Sequence, residues 1–330
     1  MELEEFGIAK EEWFRTFLEL PNGIPSHDTF GRFFAALNPD AFSQCFMSWI
    51  ASVAEVTKGK VVAIDGKTIR RSFDRASSKS AVHIVSAWLA ANRMVLGQVR
   101  TEEKSNEITA IPRLLELLSL TGCIVTIDAM GCQKNIVQAI VNQNADYVIG
   151  LKGNQGTLHD EVRALFDDAE KSDFRDLQHD AAQTVEKDHG RIETRRCVVT
   201  SYVDWFADKE HWAGLRSFAM VESQRVIGGK TSSERRYFIS SLPGLDAAQM
   251  LHAVRTHWSI ENDLHWSLDV AFREDESRVR IDNAAENTAT LRKVALTLLK
   301  QDQTTKAGIA ARRKKAGWSH PYLLSLLGFA

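Results

Sequence analysis

Between residues 61 and 151 the chain carries five strand-length apolar runs: VVAI (61–64), HIVSAWLA (83–90), MVLGQVR (94–100), CIVTI (123–127) and YVIGL (147–151). A tight Ala-Asn-Arg turn joins the second run to the third, as in a hairpin. Ile108, Ile111, Leu114, Leu115 and Leu118 then mark a helix over 107–120, and Ile136, Val137, Ile140 and Val141 a second one, because apolar residues three and four apart share one helical face. The order βββαβαβ predicts a mixed α/β sheet, antiparallel at its start and made parallel afterwards by helical crossovers.

Working outward, residues 1–58 read as a helical region. Phe6, Trp13, Phe14, Phe17 and Leu18 recur at helical spacing, PNGIPS interrupts them, and Phe30, Phe33 and Phe34 resume. Such a pair of helices is either a packing unit or a helix-turn-helix on DNA. Residues 59–152 and 246–299 are expected to form the sheet core. Residues 153–245 are expected to form a β-rich insertion, with RRCVVTSYV, SFAMVESQRVI and a Gly228-Gly229 turn into RRYFISSL. A basic segment, 300–330, ends the chain in YLLSLLGF.

The 330 residues, 44% hydrophobic and 25% charged, exclude a disordered, collagen-like or disulfide-scaffold chain. The net charge of -2 means that any footprint for a polyanion is local. Cys45, Cys123, Cys132 and Cys197 lie far apart and form no C-x-x-C pair, so a zinc knuckle and a disulfide framework are not expected. The opening MELEEFGIAKEEW lacks the features of a signal peptide, and no apolar run reaches the roughly 18 residues of a membrane span. A soluble, cytoplasmic protein without a membrane partner is the expectation.

Asp65 directly follows VVAI and Asp128 directly follows CIVTI, which places both at the carboxyl ends of strands, where open α/β sheets bind ligands. An Asp in that position also starts turns. A third acid, Glu261, shares a helical stripe with Trp258, Leu264, His265, Leu268 and Phe272 in HWSIENDLHWSLDVAF, so it is expected on the inward face. There it requires a partner: a metal ion, or a salt bridge to Arg255 or Arg273. Three carboxylates brought together repel one another unless a cation intervenes, and hard divalent ions take oxygen ligands. Two such ions on three acids suit phosphoryl transfer on nucleic acid. No G-x-S-x-G and no Cys-His pairing offers a competing nucleophile.

Local charge agrees with a polyanionic substrate. Lys67, Arg70, Arg71, Arg75 and Lys79 face only Asp74 within 67–79, and eight Lys and Arg face only Asp302 within 292–315. In DHGRIETRRC (188–197), an extended strand would set His189, Arg191 and Arg195 on one face, able to grip a DNA backbone or simply to be solvated at a sheet edge. GLKGNQG (150–156) lacks the ending of a P-loop, but Lys152 can approach a phosphate near Asp128.

LPNGIPSHDTFGR (20–32), AIDGKTIRRS (63–72), TIDAMGCQ (126–133), YVIGLKGNQ (147–155) and HWSIENDLHWSLDVAFREDESR (257–278) resemble the H-repeat-associated transposases. These are bacterial insertion-sequence enzymes of the DDE type, and the resemblance runs over essentially the whole chain. It implies a ribonuclease H-like core, with Asp65, Asp128 and Glu261 as the metal-binding triad. It also implies Mg²⁺ as cofactor, with Mn²⁺ able to substitute. The implied reaction is cleavage of double-stranded DNA at the element ends and joining of the freed 3′-hydroxyl to target DNA, by a homodimer on DNA.

Related insertion-sequence transposases carry a Tyr-Arg-Glu-Lys signature around the catalytic Glu. The places of its Arg and Lys hold His257 and Leu268 here; His257 itself is counted with the DNA-contacting candidates, and Arg255, His265 and Arg273 are nearby substitutes. Family members usually carry more helical sequence ahead of the point matching Met1, so a truncated N-terminal region is expected. The alternatives are a catalytically inactive relic that only binds DNA, and a general nuclease.

Overall fold

The five apolar runs form β1 (Val61–Thr68), β2 (His83–Leu89), β3 (Met94–Arg100), β4 (Ile124–Ile127) and β5 (Asp146–Leu151). Four longer strands follow: β6 (His179–Asp188), β7 (Arg191–Thr200), β8 (Ser217–Ile227) and β9 (Lys230–Ser240). The structure, a computed structural model, describes residues 2–54, 58–73, 79–102, 106–188 and 190–328. His189 and Arg75 lie outside the described residues.

All nine strands join one sheet in the order β3-β2-β1-β4-β5-β9-β8-β7-β6. β1 runs parallel to β4, and β4 to β5. The β2–β3 pair and every pair from β5–β9 outward are antiparallel. The fold is therefore mixed α/β, with the expected strand and helix order at its start. The strands of 153–245 extend this sheet: β9 returns beside β5, with Val148 opposite Ser240 and Leu151 opposite Tyr237. The turn between β8 and β9 is the two-residue loop Gly228-Gly229, at φ of 56° and 79°. Two successive positive φ angles suit the twist of a hairpin and favour glycine at both positions.

In chain order the helices are α1 (Glu2–Ala9), α2 (Glu11–Phe14), α3 (His27–Ala36), α4 (Pro39–Val53), α5 (Glu107–Glu116), α6 (Lys134–Asn142), α7 (Gly156–Lys171) and α8 (Ala247–His257). α9 (Trp266–Phe272), α10 (Ala284–Gln301), α11 (Ile309–Trp318) and α12 (His320–Leu327) complete them. None of the described helices is long and apolar enough to cross a membrane.

The chain forms two compact units. The larger, Ile50–Lys67 with His83–Ser267, holds the sheet. There Met250, Leu251 and Val254 of α8 pack with Val61, Ile124, Val148, Val199 and Phe238 into one buried cluster, and each such side chain contributes about 1.5–3 kcal/mol. α5 buries Ile111, Leu114 and Leu115 and packs against β2 and β3.

The other unit, Met1–Trp49 with Thr68–Val82 and Leu268–Ala330, is mainly helical. Its α3 ends against Asn287 of α10, a fully buried residue whose amide donates to the carbonyls of Phe34 at 2.8 Å and Leu37 at 2.9 Å. Carbonyls in the last turn of a helix have no partner within it, and Asn287 supplies one. The basic run read from 292–315 is partly structural. Arg312 donates to the carbonyls of Leu299, Asp302, Thr305 and Ala307, Lys293 is buried, and Arg292 pairs with Glu274 at 3.7 Å. Cations that close a helix end cannot also form a free basic patch.

Candidate active site at the carboxyl edge of the sheet

The register of the sheet gathers residues far apart in sequence. Ala63, Thr126, Val148 and Ser240 stand level across β1, β4, β5 and β9. Side chains alternate between faces, so the next row on the same face is Asp65, Asp128, Gly150 and Phe238. One further step of two residues brings Lys152 opposite Arg236. Asp65, Asp128, Lys152, Arg236, His257 and Glu261 all line one pocket of about 310 Å³.

Asp65 is the most enclosed acid, with its side chain 19% exposed. Burial, and then the charges of Glu107, Glu261 and Asp128, push its pKa up to about 7. The Nδ1 of His265 lies 3.5 Å from its carboxylate. Gly66 leaves the room behind it: a Cβ there would stand 2.2 Å from Glu107 Oε1 and 2.4 Å from His83 Nε2, two groups that are themselves 2.9 Å apart.

Asp128 is exposed and accepts the backbone N–H of Met130 at 2.9 Å, capping the short 3₁₀ turn Ala129–Gly131. Asn154 and Gln155 hold that turn by donating to the carbonyls of Ala129 and Cys132, at 2.7 and 2.8 Å. Gly150 lets it approach the sheet, since a Cβ there would meet the Ala129 nitrogen at 3.2 Å.

The helix bearing Glu261 departs from the sequence expectation. α8 ends at His257, a π turn spans Ile260–His265, and α9 begins at Trp266. The wider turn shifts the phase, so that Ile260 and Leu264 are buried while Glu261 is exposed along the pocket wall. The inward placement of Glu261 is thus corrected, and with it the cost of burying a lone carboxylate. Such single π turns commonly occur at functional sites. Burial and Asp128 still raise the Glu261 carboxyl, opposed by Arg236. Trp88 anchors the turn by donating its indole N–H to Ser259 Oγ at 3.1 Å. His257 pairs its Nδ1 with the Thr126 hydroxyl at 3.0 Å, and burial pushes its pKa down to about 4.

The remaining residues singled out from sequence are dispersed. Arg195 is 11% exposed and pairs with Glu186 at 2.9 Å and Glu193 at 2.6 Å. Arg255 pairs with the same Glu186 at 2.5 Å, and Arg191 with Glu193 at 4.0 Å. The cationic row expected on β7 is therefore interleaved with acids. Arg70 pairs with Asp275 at 3.1 Å, and the Arg71 carbonyl accepts from Arg280, both within the helical unit. Arg273 pairs with Glu276. Lys67 lies two residues beyond Asp65 on β1.

Sequence reading missed His83, Glu107 and Arg236. Glu107 was open to notice, because it occupies the first turn of the helix leaving β3. Arg236 was not, since its place depends on β9 pairing with β5. Three carboxylates line one pocket, and burial together with neighbouring acids raises two of them, Asp65 and Glu261; they offer the oxygen donors and the mutual repulsion that a hard divalent cation relieves. Among the described residues, no group of three His, Cys, Asp or Glu side chains stands together as a metal cage.

Residues 57–298 match the family described as Transposase DDE domain, and residues 1–50 match a family described as DDE_Tnp_1-associated. YncI of Escherichia coli O157:H7, which bears a transposase name, is 43% identical over 330 residues, spanning 99% of this chain and 84% of the relative. YhhI of Escherichia coli K12, named as an H repeat-associated transposase, is 38% identical over 331 residues, spanning 99% and 86%. A protein encoded in the dhlA 3′ region of Xanthobacter autotrophicus is 49% identical over 240 residues, 72% of this chain and 79% of the relative.

Proposed function

The chain belongs to the DDE transposases, in the H-repeat-associated group, and we propose that it cuts double-stranded DNA at the ends of its insertion sequence and joins the freed 3′-hydroxyl to target DNA. The observation that carries this reading is the meeting of Asp65, Asp128 and Glu261, from three distant parts of the chain, on one pocket at the carboxyl edge of the sheet. The strand order β3-β2-β1-β4-β5, with β1, β4 and β5 parallel, supports a ribonuclease H-like core around them.

In this reading the three acids hold divalent cations, Mg²⁺ or in its place Mn²⁺. Such ions, when bound, activate a water or a 3′-hydroxyl and stabilise the leaving oxygen. Mg²⁺ is commonly held by one or two carboxylates with the rest of its shell from water and substrate phosphate, which suits acids that line a pocket without forming a closed cage. Asp65 gives up its proton as the site is loaded, since its carboxyl is half-protonated near pH 7. The loop at Asp128, pinned by Asn154 and Gln155, holds the second acid in place. The π turn carries Glu261 onto the wall of the same pocket. Bringing two element ends together makes a homodimer on DNA part of the same proposal.

The test is cleavage of a supercoiled plasmid carrying the gene with its flanking DNA, in Mg²⁺, Mn²⁺ or EDTA. Wild type is expected to cut at the element ends only with metal. Asp65→Asn, Asp128→Asn and Glu261→Gln should each lose about 10³-fold or more in rate, the equivalent of several kcal/mol of transition-state stabilisation. A wild-type chain that binds the plasmid and never cuts it would make the protein a DNA binder only.

A further inference from the structure

A pocket walled by three carboxylates repels a phosphodiester as well as attracting cations, so a DNA phosphate entering it requires positive charge fixed close by. The cations nearest to Glu261 in sequence are engaged elsewhere: Arg255 by Glu186 and Arg273 by Glu276. His257 is neutral at pH 7, because its burial opposes protonation. On β9, Arg235 faces Asp167, Glu170 and Glu222, at 3.4, 3.1 and 3.6 Å.

Its neighbour Arg236 is different. Both arginines line the pocket, but the alternation of the strand turns their side chains to opposite faces, and only Arg235 is held by three acids. The Arg236 guanidinium lies over the ring of Trp258, 4.8 Å from the centroid, three residues before Glu261. Its ion pair is with Glu234 of the same strand at 2.9 Å, whose side chain is 58% exposed, and exposed pairs of this kind hold weakly. The Nε–H is buried and meets no acceptor. A charged donor fixed over an aromatic face, with one N–H unsatisfied, fits an anion that presents acceptor oxygens, such as a phosphate, better than a structural role.

We infer that Arg236, steadied on Trp258 and standing opposite Lys152, binds a non-bridging oxygen of the DNA phosphate that enters the carboxylate pocket. The row of acids and the row of cations beyond it then form one site, in which the acids take the metal and Arg236 takes the phosphate charge the metal leaves exposed. This rests on the proposed function and adds to it the group that receives the substrate.

The experiment has two readouts on the full chain. Duplex DNA carrying the element end is titrated with protein in Ca²⁺ over a range of salt concentrations. Arg236→Ala should lower the slope of log affinity against log salt by about one, the value of one phosphate contact, and Arg236→Lys should keep the slope. Plasmid cleavage in Mg²⁺ should fall about 10²-fold for Arg236→Ala, as for loss of a single charge-stabilising donor, with partial recovery in Arg236→Lys. An Arg236→Ala protein with wild-type slope and rate overturns the inference and leaves the proposed function standing. Equal losses in the Ala and Lys variants, with lowered melting temperatures and unchanged slope, also overturn it, since they describe a structural arginine. A wild-type chain that binds but does not cut defeats the proposed reaction, while loss of slope in Arg236→Ala still supports the phosphate contact.

Discussion

On β1, β4 and β5 the buried stretches are apolar and charge waits at the ends: Asp65 past Ile64, Asp128 past Ile127, Lys152 past Leu151. On β6 to β9 charge is distributed along the strands and cancels in place, with Arg195 between Glu186 and Glu193, Arg225 on Glu193 and Arg235 on three acids. The two halves share one sheet and handle electrostatics in opposite ways. Where opposite charges meet across neighbouring strands, each lowers the other's cost, and the result is structural. Where like charges are brought to one edge, the repulsion remains for a ligand to relieve. Arg235 and Arg236, adjacent on β9, differ in the same way: three acids hold the first, and one exposed acid, Glu234, pairs with the second.

The contrast can be broken most directly at Asp65. Its carboxyl in the folded chain keeps a proton up to about pH 7, whereas in the unfolded chain it loses that proton near pH 4. The native state therefore binds the extra proton between those limits, and the metal-free protein loses stability as pH rises through them. Asp65→Asn should stabilise the metal-free chain at pH 8 by on the order of 3 kcal/mol, with the gain vanishing below about pH 4. Urea melts in EDTA at both pH values measure it, and a destabilised variant at pH 8 would show that the buried Asp65 carboxylate costs the metal-free fold nothing.

The opposite sign is expected in the antiparallel half. Arg195→Ala removes a partner from Glu193, whose side chain is 6% exposed, while Arg225 remains at 3.1 Å. The loss should be about 1–3 kcal/mol at pH 7. Burial would raise the Glu186 and Glu193 carboxyls, but their hydrogen bonds to arginine hold both below the usual range. Their contribution is thus present at neutral pH and fades as pH falls through the acid range, so the penalty should shrink in melts near pH 3. A penalty independent of pH would mean that Arg195 acts through packing alone.

The smallest effect sharpens the comparison from behind the pocket. Gly66→Ala drives a methyl group toward Glu107 and His83, which should cost about 1–2 kcal/mol because both side chains must shift. Thermal melts of the variant, alone and combined with Glu107→Ala, should show the second change relieving the first. If the two penalties simply add, Glu107 is not what Gly66 makes room for.

Much of this was legible in the sequence, and the part that was not has a definite character. Apolar runs of strand length and helical stripes are local patterns, so β1 to β5 and the cores of α5 and α6 could be read directly, along with an Asp at the mouth of two strands. The Gly228-Gly229 turn was legible for the same reason, since two adjacent glycines allow what the hairpin requires. What could not be read was registration across long separations. Only the pairing of β5 with β9, some ninety residues apart, sets Arg236 opposite Lys152 and makes the β-rich stretch part of the same sheet. Only the tertiary structure shows the helix widened into a π turn over Ile260–His265, with Ile260 and Leu264 buried and Glu261 exposed, outside the stripe its spacing predicts. The ion pairs that engage Arg195, Arg255 and Arg312 are equally invisible along the chain, because a charged residue looks the same in sequence whether an acid or water will face it. Local chemistry determined which segments become strands and which acids wait at their ends; the tertiary structure decided which charges meet, because pairing across a sheet depends on register and crossing strands that no short window of sequence contains.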